Sequence, residues 1–301
     1  MSKQIKADLA LLGVTLGWGA SFILTKNALN SLETFNFLGI RFIIAFLISS
    51  LVFYKNMIKI DKNTLKYGCL IGFVLFSAFA IQTIGINYTT ASKSAFITGF
   101  SVVLVPILSA LFLKRLPERV AVIGAIMALM GLGFLTLHGN FGLNIGDFYT
   151  FISAFAFALH IITVGKYTVD VDSISLAIIQ IGVVGLLSLL ISFGFENTII
   201  PRGTDVWINV LILSLICTSG AFIVQNTAQK FTSPTHTALI YTGEPVFAAI
   251  FAYFISGETL SSRGIFGAFL ILMGMLIAEI DFTKLVKIFK KKYSKEKIQE
   301  N

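Results

Sequence analysis

Residues 124–131 read GAIMALMG and residues 267–274 read GAFLILMG, two octapeptides 143 residues apart that agree at five of eight positions. At the same offset Gln82 falls on Gln225, Thr89 on Thr232, Lys93 on His236 and Ala95 on Ala238. Earlier in each half the offset is 139, and there Asp8 falls on Asp147, Trp18 on Phe157, Ser21 on His160, Arg41 on Gln180 and Pro106 on Pro245. A slip of four residues is about one helical turn. One match of this kind is chance; an ordered set is an internal duplication.

What is duplicated follows from hydropathy. Of 301 residues 56% are hydrophobic and only 13% charged, where about 25% is usual for a soluble domain. Mean hydropathy is +0.87. Apolar runs that cross a ~30 Å hydrocarbon layer need roughly 20 residues, and cutting the chain at polar, Pro/Gly or charged interruptions leaves ten: 8–28, 34–54, 66–87, 94–113, 119–138, 146–165, 174–194, 207–229, 235–255 and 261–280. The chain reads as an all-α membrane protein. Residues 8–138 make the first five-helix unit and 146–280 the second, with 281–301 a basic tail. Five is odd, so the second unit enters from the opposite side. The repeat is therefore inverted, the arrangement typical of secondary transporters whose site lies at mid-depth between the halves.

The formal charge of +8 points to topology rather than to nucleic acid. With the N-terminus inside, 18 of the 23 Lys and Arg residues fall on the same side, including seven lysines between Lys284 and Lys297; Lys26, Arg41, Lys93, Arg202 and Arg263 fall on the other. The positive-inside rule then puts both termini in the cytoplasm of a multi-pass protein of the plasma or inner membrane. The run KLVKIFKKKYSKEK reads as a tail on the membrane surface. The basic start followed by Leu9–Leu29 reads as a retained first span. Cys69 and Cys217 lie in apolar runs without metal-ligand spacing and read as packing residues.

Polar groups at membrane depth are costly unless paired or wetted, so each is a functional candidate. Gln82 and Gln225 form one related pair, either polar contacts above and below one site or interhelical hydrogen bonds. Ser21 and His160 form a second. His160, in AFAFALHIITV, can donate one hydrogen bond and accept another, which suits proton coupling as well as plain packing. Arg41 and Gln180 form a third pair, in which Arg41 reads as an anchor reaching the outer interface, with attraction of substrate carboxylates as the alternative. Trp18, between Gly17 and Gly19, and Phe100 and Tyr241 near mid-depth are wall candidates. Gly124, Gly131, Gly267 and Gly274 read as packing seams, internal or between two copies of the chain.

In GEPVFAAIFAYFISGE, Gly243 to Glu258, the two glutamates differ in depth. Glu244 is nine residues into its span from Thr235, or roughly 14 Å, near mid-bilayer. Glu258 is at the outer surface. Pro245 removes the bond that would reach Tyr241 and predicts a kink there; Pro106 predicts the same in the first half, with Val105 before it instead of an acid. Glu244 is thus the first candidate for binding a proton or a substrate amine.

LGWGASFILTKNAL, GIRFIIAFLI, SAFITGFSVVLVPILSALFL and TALIYTGEPVFAAIFAYFISGETLSSRGIFGAFLILMGMLI resemble the EamA-type family of the drug/metabolite transporter superfamily. The resemblance covers nearly the whole chain. It implies a ten-helix bundle with a central cavity lined by spans 1, 3, 4, 6, 8 and 9, and alternating access that exports amino acids and other small metabolites. The halves differ at equivalent ends: Gly257 and Glu258 stand where the first has Lys114 and Arg115, with Glu118 slightly later.

Enzyme signatures are absent: there is no GxSxG, phosphate loop, HExxH or Cys/His metal cluster. The expected function is secondary transport of a small organic solute, with export the expected direction, driven by a proton or solute gradient and needing no cofactor. An importer or facilitator, a lipid-carrier flippase and a non-transporting membrane subunit are the alternatives. Expected partners are the solute, lipid, protons and a second copy of the chain.

Overall fold

A computed structural model of the chain describes residues 2–114, 119–136, 144–256 and 261–279. The expectations for Arg115, Glu118, Gly257, Glu258 and the tail 281–301 lie outside these residues. Helix α1, Lys3–Leu29, starts earlier than its apolar run because the Ser2 hydroxyl accepts from the Ile5 N–H at 3.2 Å. Next come α2, Thr34–Val52, and a single turn, α3, Tyr54–Met57. Helix α4, Lys62–Tyr88, is capped by Asp61, whose carboxylate accepts from the Thr64 N–H at 2.8 Å. Helices α5, Ala91–Gly99, α6, Ser101–Leu113, and α7, Arg119–Thr136, complete the first half.

The second half opens with α8, Ile145–Tyr167, on a reciprocal cap between Asn144 and Asp147. Helix α9, Ser173–Phe195, follows a cap at Asp172. Helix α10, Thr204–Ser214, runs through one π turn, Leu215–Gly220, into α11, Ala221–Ala228. Then come α12, Pro234–Tyr241, α13, Glu244–Ser256, and α14, Ser262–Glu279. No strand occurs among the described residues. Hydropathy alone places the starts of α1 and α4 too late, because a capped helix continues through polar residues as long as its backbone bonds are made.

Seven helices among the described residues are long and apolar enough to cross a membrane; Arg119–Phe134 and Ser262–Ile277 are shorter apolar helices. Large apolar side chains on the outside of the bundle stay exposed, among them Leu51, Leu111, Phe193 and Leu276. Water would disfavour such a surface; lipid solvates it.

Two spans expected to be single, kinked helices are broken in the same place. Helix α5 ends at Gly99 and α6 begins at Ser101; α12 ends at Tyr241 and α13 begins at Glu244. Moving 143 residues along carries the starts of α5, α6 and α7 onto those of α12, α13 and α14, and the ends of α6 and α7 onto those of α13 and α14. This corrects one pairing. In this register Pro245 corresponds to Val102, and Glu244 to Ser101. Pro106 is not the hinge of its span: it lies inside α6, and the break is six residues earlier, at Phe100. Both halves therefore break their chain at this point, and only the second places a proline directly beside the break.

Hydrogen bonds between helix ends order the bundle. Near the end of α1, Lys26 Nζ donates to the carbonyl oxygens of Ile86 and Thr89, at 2.5 and 3.2 Å, where α4 closes. Thr89 Oγ1 donates to Asp147 Oδ1 at the start of α8 at 2.6 Å, and Asn87 Nδ2 to Thr34 Oγ1 at the start of α2 at 2.9 Å. At the opposite end Gln4 Nε2 lies 3.3 Å from His236 Nδ1, and Thr168 Oγ1 donates to the Asn226 carbonyl at 2.7 Å. Helices α1 and α8 therefore run in opposite directions. The glycine seam is internal: a Cβ at Gly131 would lie 2.6 Å from the Gly267 carbonyl oxygen, and one at Gly274 would lie 2.6 Å from that of Gly124, so α7 and α14 touch backbone to backbone.

Candidate functional site

A cavity with about 700 Å³ of empty space, part of it open to solvent, lies where the two halves meet. Both broken helices contribute to its wall, with Thr98 and Ser101 beside one break and Tyr241, Glu244 and Pro245 beside the other. Ending a helix in the interior leaves backbone groups unpaired and places short polar side chains where a continuous helix would bury apolar ones.

Trp18 sits at the centre of this arrangement. At the neighbouring Gly19 a Cβ would come within 2.8 Å of Phe247 Cβ and 3.0 Å of the Glu244 carbonyl oxygen, so α1 crosses the start of α13 in direct contact. That crossing brings the Trp18 ring edge-on to Tyr241, centroids 4.9 Å apart, and within 5.5 Å of Phe222. The indole N–H donates to the Cys217 carbonyl at 2.7 Å. The Tyr241 hydroxyl is buried and has no hydrogen-bond partner among the described residues.

Of the related polar pairs, every member except Gln180 lines the cavity, with different degrees of commitment. Gln82 donates to Thr98 Oγ1 at 2.9 Å. Gln225 donates to Gln229 Oε1 at 2.9 Å, and its own carbonyl oxygen has no partner among the described residues. His160 shares a 2.7 Å hydrogen bond between Nε2 and Gln180 Oε1 and stands edge-on to Phe222. Gln180 therefore stands behind His160 and does not line the cavity. Ser21 Oγ donates back to the Trp18 carbonyl at 2.8 Å, one turn earlier in α1. Phe100 does not line the cavity: it packs against Phe151, centroids 5.7 Å apart.

The arginine expected to anchor at the interface is a wall residue. Arg41 is 2% exposed, and its Nε donates to Thr218 Oγ1, in the π turn, at 2.8 Å. The guanidinium lies over Phe42 and Phe79, 5.3 and 5.2 Å from their ring centres. Sequence spacing alone admits either outcome, because an arginine seven residues into a span has enough reach to leave it. Here the side chain stays inside, since a wide turn and two phenyl rings receive it. Ser101 carries no sequence signal at the 139 offset; at 143 it stands opposite Glu244. Among the described residues no group of three His, Cys, Asp or Glu side chains gathers to hold a metal ion.

The model of the EamA-like transporter family matches residues 5–137 and 144–279. An uncharacterized transporter of Archaeoglobus fulgidus is 35% identical over 278 residues, 92% of this chain and 87% of the relative. The uncharacterized transporter YyaM of Bacillus subtilis is 23% identical over 291 residues, 92% of this chain and 94% of the relative. A crystal structure of a protein 19% identical in sequence superposes with a TM-score of 0.76, covering 91% of this chain and 96% of that one. At that identity the likeness is one of fold.

Proposed function

The chain belongs to the EamA-like transporter family of the drug/metabolite transporter superfamily, and from that premise we propose that it is a secondary transporter exporting small organic metabolites such as amino acids. It works by alternating access around the cavity between two inverted five-helix repeats. Ten spans cross the cell membrane, and both termini are cytoplasmic. The observation that carries this reading is that side chains from both family-matched segments line one cavity, the polar Gln82 from the first and Glu244 from the second among them. The opposite directions of α1 and α8 support the inversion. Glu244 is the proposed partner of a proton or a substrate amine, because it lines the cavity at the break between α12 and α13.

The test is flux into and out of proteoliposomes, using a panel of amino acids and small metabolites with and without a pH gradient. Small solutes are expected to cross. If none crosses in either direction while phospholipid or a polyprenyl lipid does, the protein is a flippase and the proposal fails. Glu244→Gln is expected to change flux or its response to the gradient; unchanged behaviour in both removes Glu244 from coupling and binding.

A further inference from the structure

The duplication relates contacts as well as residues. Thr89 Oγ1 donates to Asp147 Oδ1 at 2.6 Å, where the end of α4 meets the start of α8. Asp8 matches Asp147 at the 139 offset and Thr232 matches Thr89 at the 143 offset, so the counterpart of this bond joins Thr232, just after α11, to Asp8 in α1. That bond is not made. The Thr232 hydroxyl is buried and has no hydrogen-bond partner among the described residues. Its surroundings are nevertheless close to α1: Lys3 Nζ lies 5.7 Å from the centre of the Phe231 ring, and Gln4 Nε2 lies 3.3 Å from His236 Nδ1. Gln4 precedes Asp8 by four residues and shares its face of the helix.

The backbones repeat the difference. A Cβ at Gly146 would lie 2.6 Å from the Gly85 carbonyl oxygen and 2.9 Å from the Thr89 nitrogen, and one at Gly85 would lie 2.7 Å from Thr150 Oγ1. Helices α4 and α8 therefore meet backbone to backbone beside the Thr89–Asp147 bond. The counterparts of Gly85 and Gly146 are Ala228 and Ala7. Their methyl groups exclude the approach that two glycines allow, so α11 and α1 cannot close as tightly. One end of the bundle is thus bonded and close-packed. The other has the same hydroxyl and the same acid, but the hydroxyl is left without the bond that a buried polar group needs.

We propose that Thr89–Asp147 and Thr232–Asp8 are equivalent latches that the protein closes in turn, and that the structure holds the first closed and the second open. This rests on the reading of the chain as an alternating-access transporter. It adds the residues that hold each end shut, and it makes the state with Asp147 latched the resting one, because only that end has the glycine contact. The rocking that brings Thr232 onto Asp8 parts Thr89 from Asp147.

The experiment is hydrogen exchange read by mass spectrometry on the purified full-length protein in detergent, together with solute flux in proteoliposomes. Thr89→Val keeps the side-chain shape and removes the donor. Exchange in residues 85–90 and 145–150 is expected to speed up roughly tenfold, and exchange in residues 5–10 and 226–232 to slow down by a similar factor, as the population moves to the other latch. Thr89→Ser restores the donor and is expected to exchange as wild type does. Thr232→Val removes no bond of the resting state, so its exchange is expected to stay at the wild-type level while flux falls. A Thr89→Val protein that loosens its own end and leaves the opposite end unchanged overturns the proposal, since a merely structural bond behaves that way. Wild-type flux in Thr232→Val overturns it too. If Thr89→Val does not fold, Gly85→Ala, which forces the same end apart with a methyl group, carries the same expectation. A wild-type protein that moves no solute refutes the transport reading alone, because reciprocal exchange at the two ends is measured without flux.

Discussion

The indole N–H of Trp18 donates to the carbonyl oxygen of Cys217 across 2.7 Å, and in return the Cys217 thiol lies 3.3 Å from the carbonyl oxygen of Gly17. Cys217 belongs to the π turn Leu215–Gly220, and the next two residues of that turn are also engaged sideways. Thr218 accepts from Arg41, and Ser219 shares a 2.6 Å hydrogen bond with Ser49. One wide turn thus ties the span Thr204–Ala228 to α1 and α2. Single π turns recur at functional sites because they reposition side chains and carbonyls without ending the helix.

Trp18→Phe keeps an aromatic ring and removes the donor to Cys217. The buried carbonyl left behind makes the variant less stable by about 1–3 kcal/mol. A thermal unfolding curve in detergent measures this. An unchanged melting temperature means that water replaces the indole.

Glycine substitutions separate close approach from helix propensity. Gly131→Ala forces a methyl group against the Gly267 backbone, whereas a methyl group added at Gly13 would meet nothing within 4 Å. Gly131→Ala is therefore expected to lose about 1–3 kcal/mol through forced separation of α7 and α14. Gly13→Ala should be neutral or stabilising by up to about 1 kcal/mol. Equal effects on the melting temperature would refute the backbone seam.

Glu196 closes the start of α2 from the far half of the chain, its carboxylate accepting from the N–H groups of Phe35 and Asn36 at 2.9 and 2.8 Å. Glu196→Ala removes both acceptors from a helix N-terminus, at a cost of about 1 kcal/mol. Hydrogen exchange of the first turn of α2 should speed up in the variant; exchange confined to other helices argues against this cap.

Asp172 predicts a pH dependence at the start of α9. Burial raises its pKa, but the Ser175 N–H and hydroxyl, the Asn56 amide and the charge of Lys230 together outweigh that and hold the carboxyl below its ordinary value of 3.8. With the folded value below the unfolded one, the charge stabilises the protein fully above about pH 4 and loses that contribution as pH falls through the folded value. Melting of wild type and Asp172→Asn should differ at neutral pH and converge on acidification. A gap that widens as pH falls has the wrong sign for this account.

The candidate site is legible in part from the chain alone. Glu244 next to Pro245, inside an apolar run, marks both a chain break and a costly polar group, and the break is where that pair stands. Ser21, His160, Gln82 and Gln225 stand out for the same reason, since a polar side chain at membrane depth is rare enough to be noticed. Arg41 differs because its reach permits two ends, and which one it takes depends on Thr218, Phe42 and Phe79, residues brought to it from elsewhere in the chain or the next position along. The equivalence of Pro106 and Pro245 fails because it matches like residues by type, whereas the breaks at Phe100 and at Thr242–Gly243 follow the 143-residue register.

By itself the sequence determined the helices and the duplication, since hydropathy over a span and an ordered set of matches are properties of the chain alone. Hydrophobic periodicity and capping chemistry are local, and the repeat is written in one dimension. Which polar groups face a common space, that the π turn receives an indole and a guanidinium, and that α7 and α14 meet at their backbones were decided by tertiary structure. Those relationships join residues far apart in the chain, 200 positions in the case of Gly17 and Cys217. Only packing, which fills space in three dimensions, selects among the many partners such residues have.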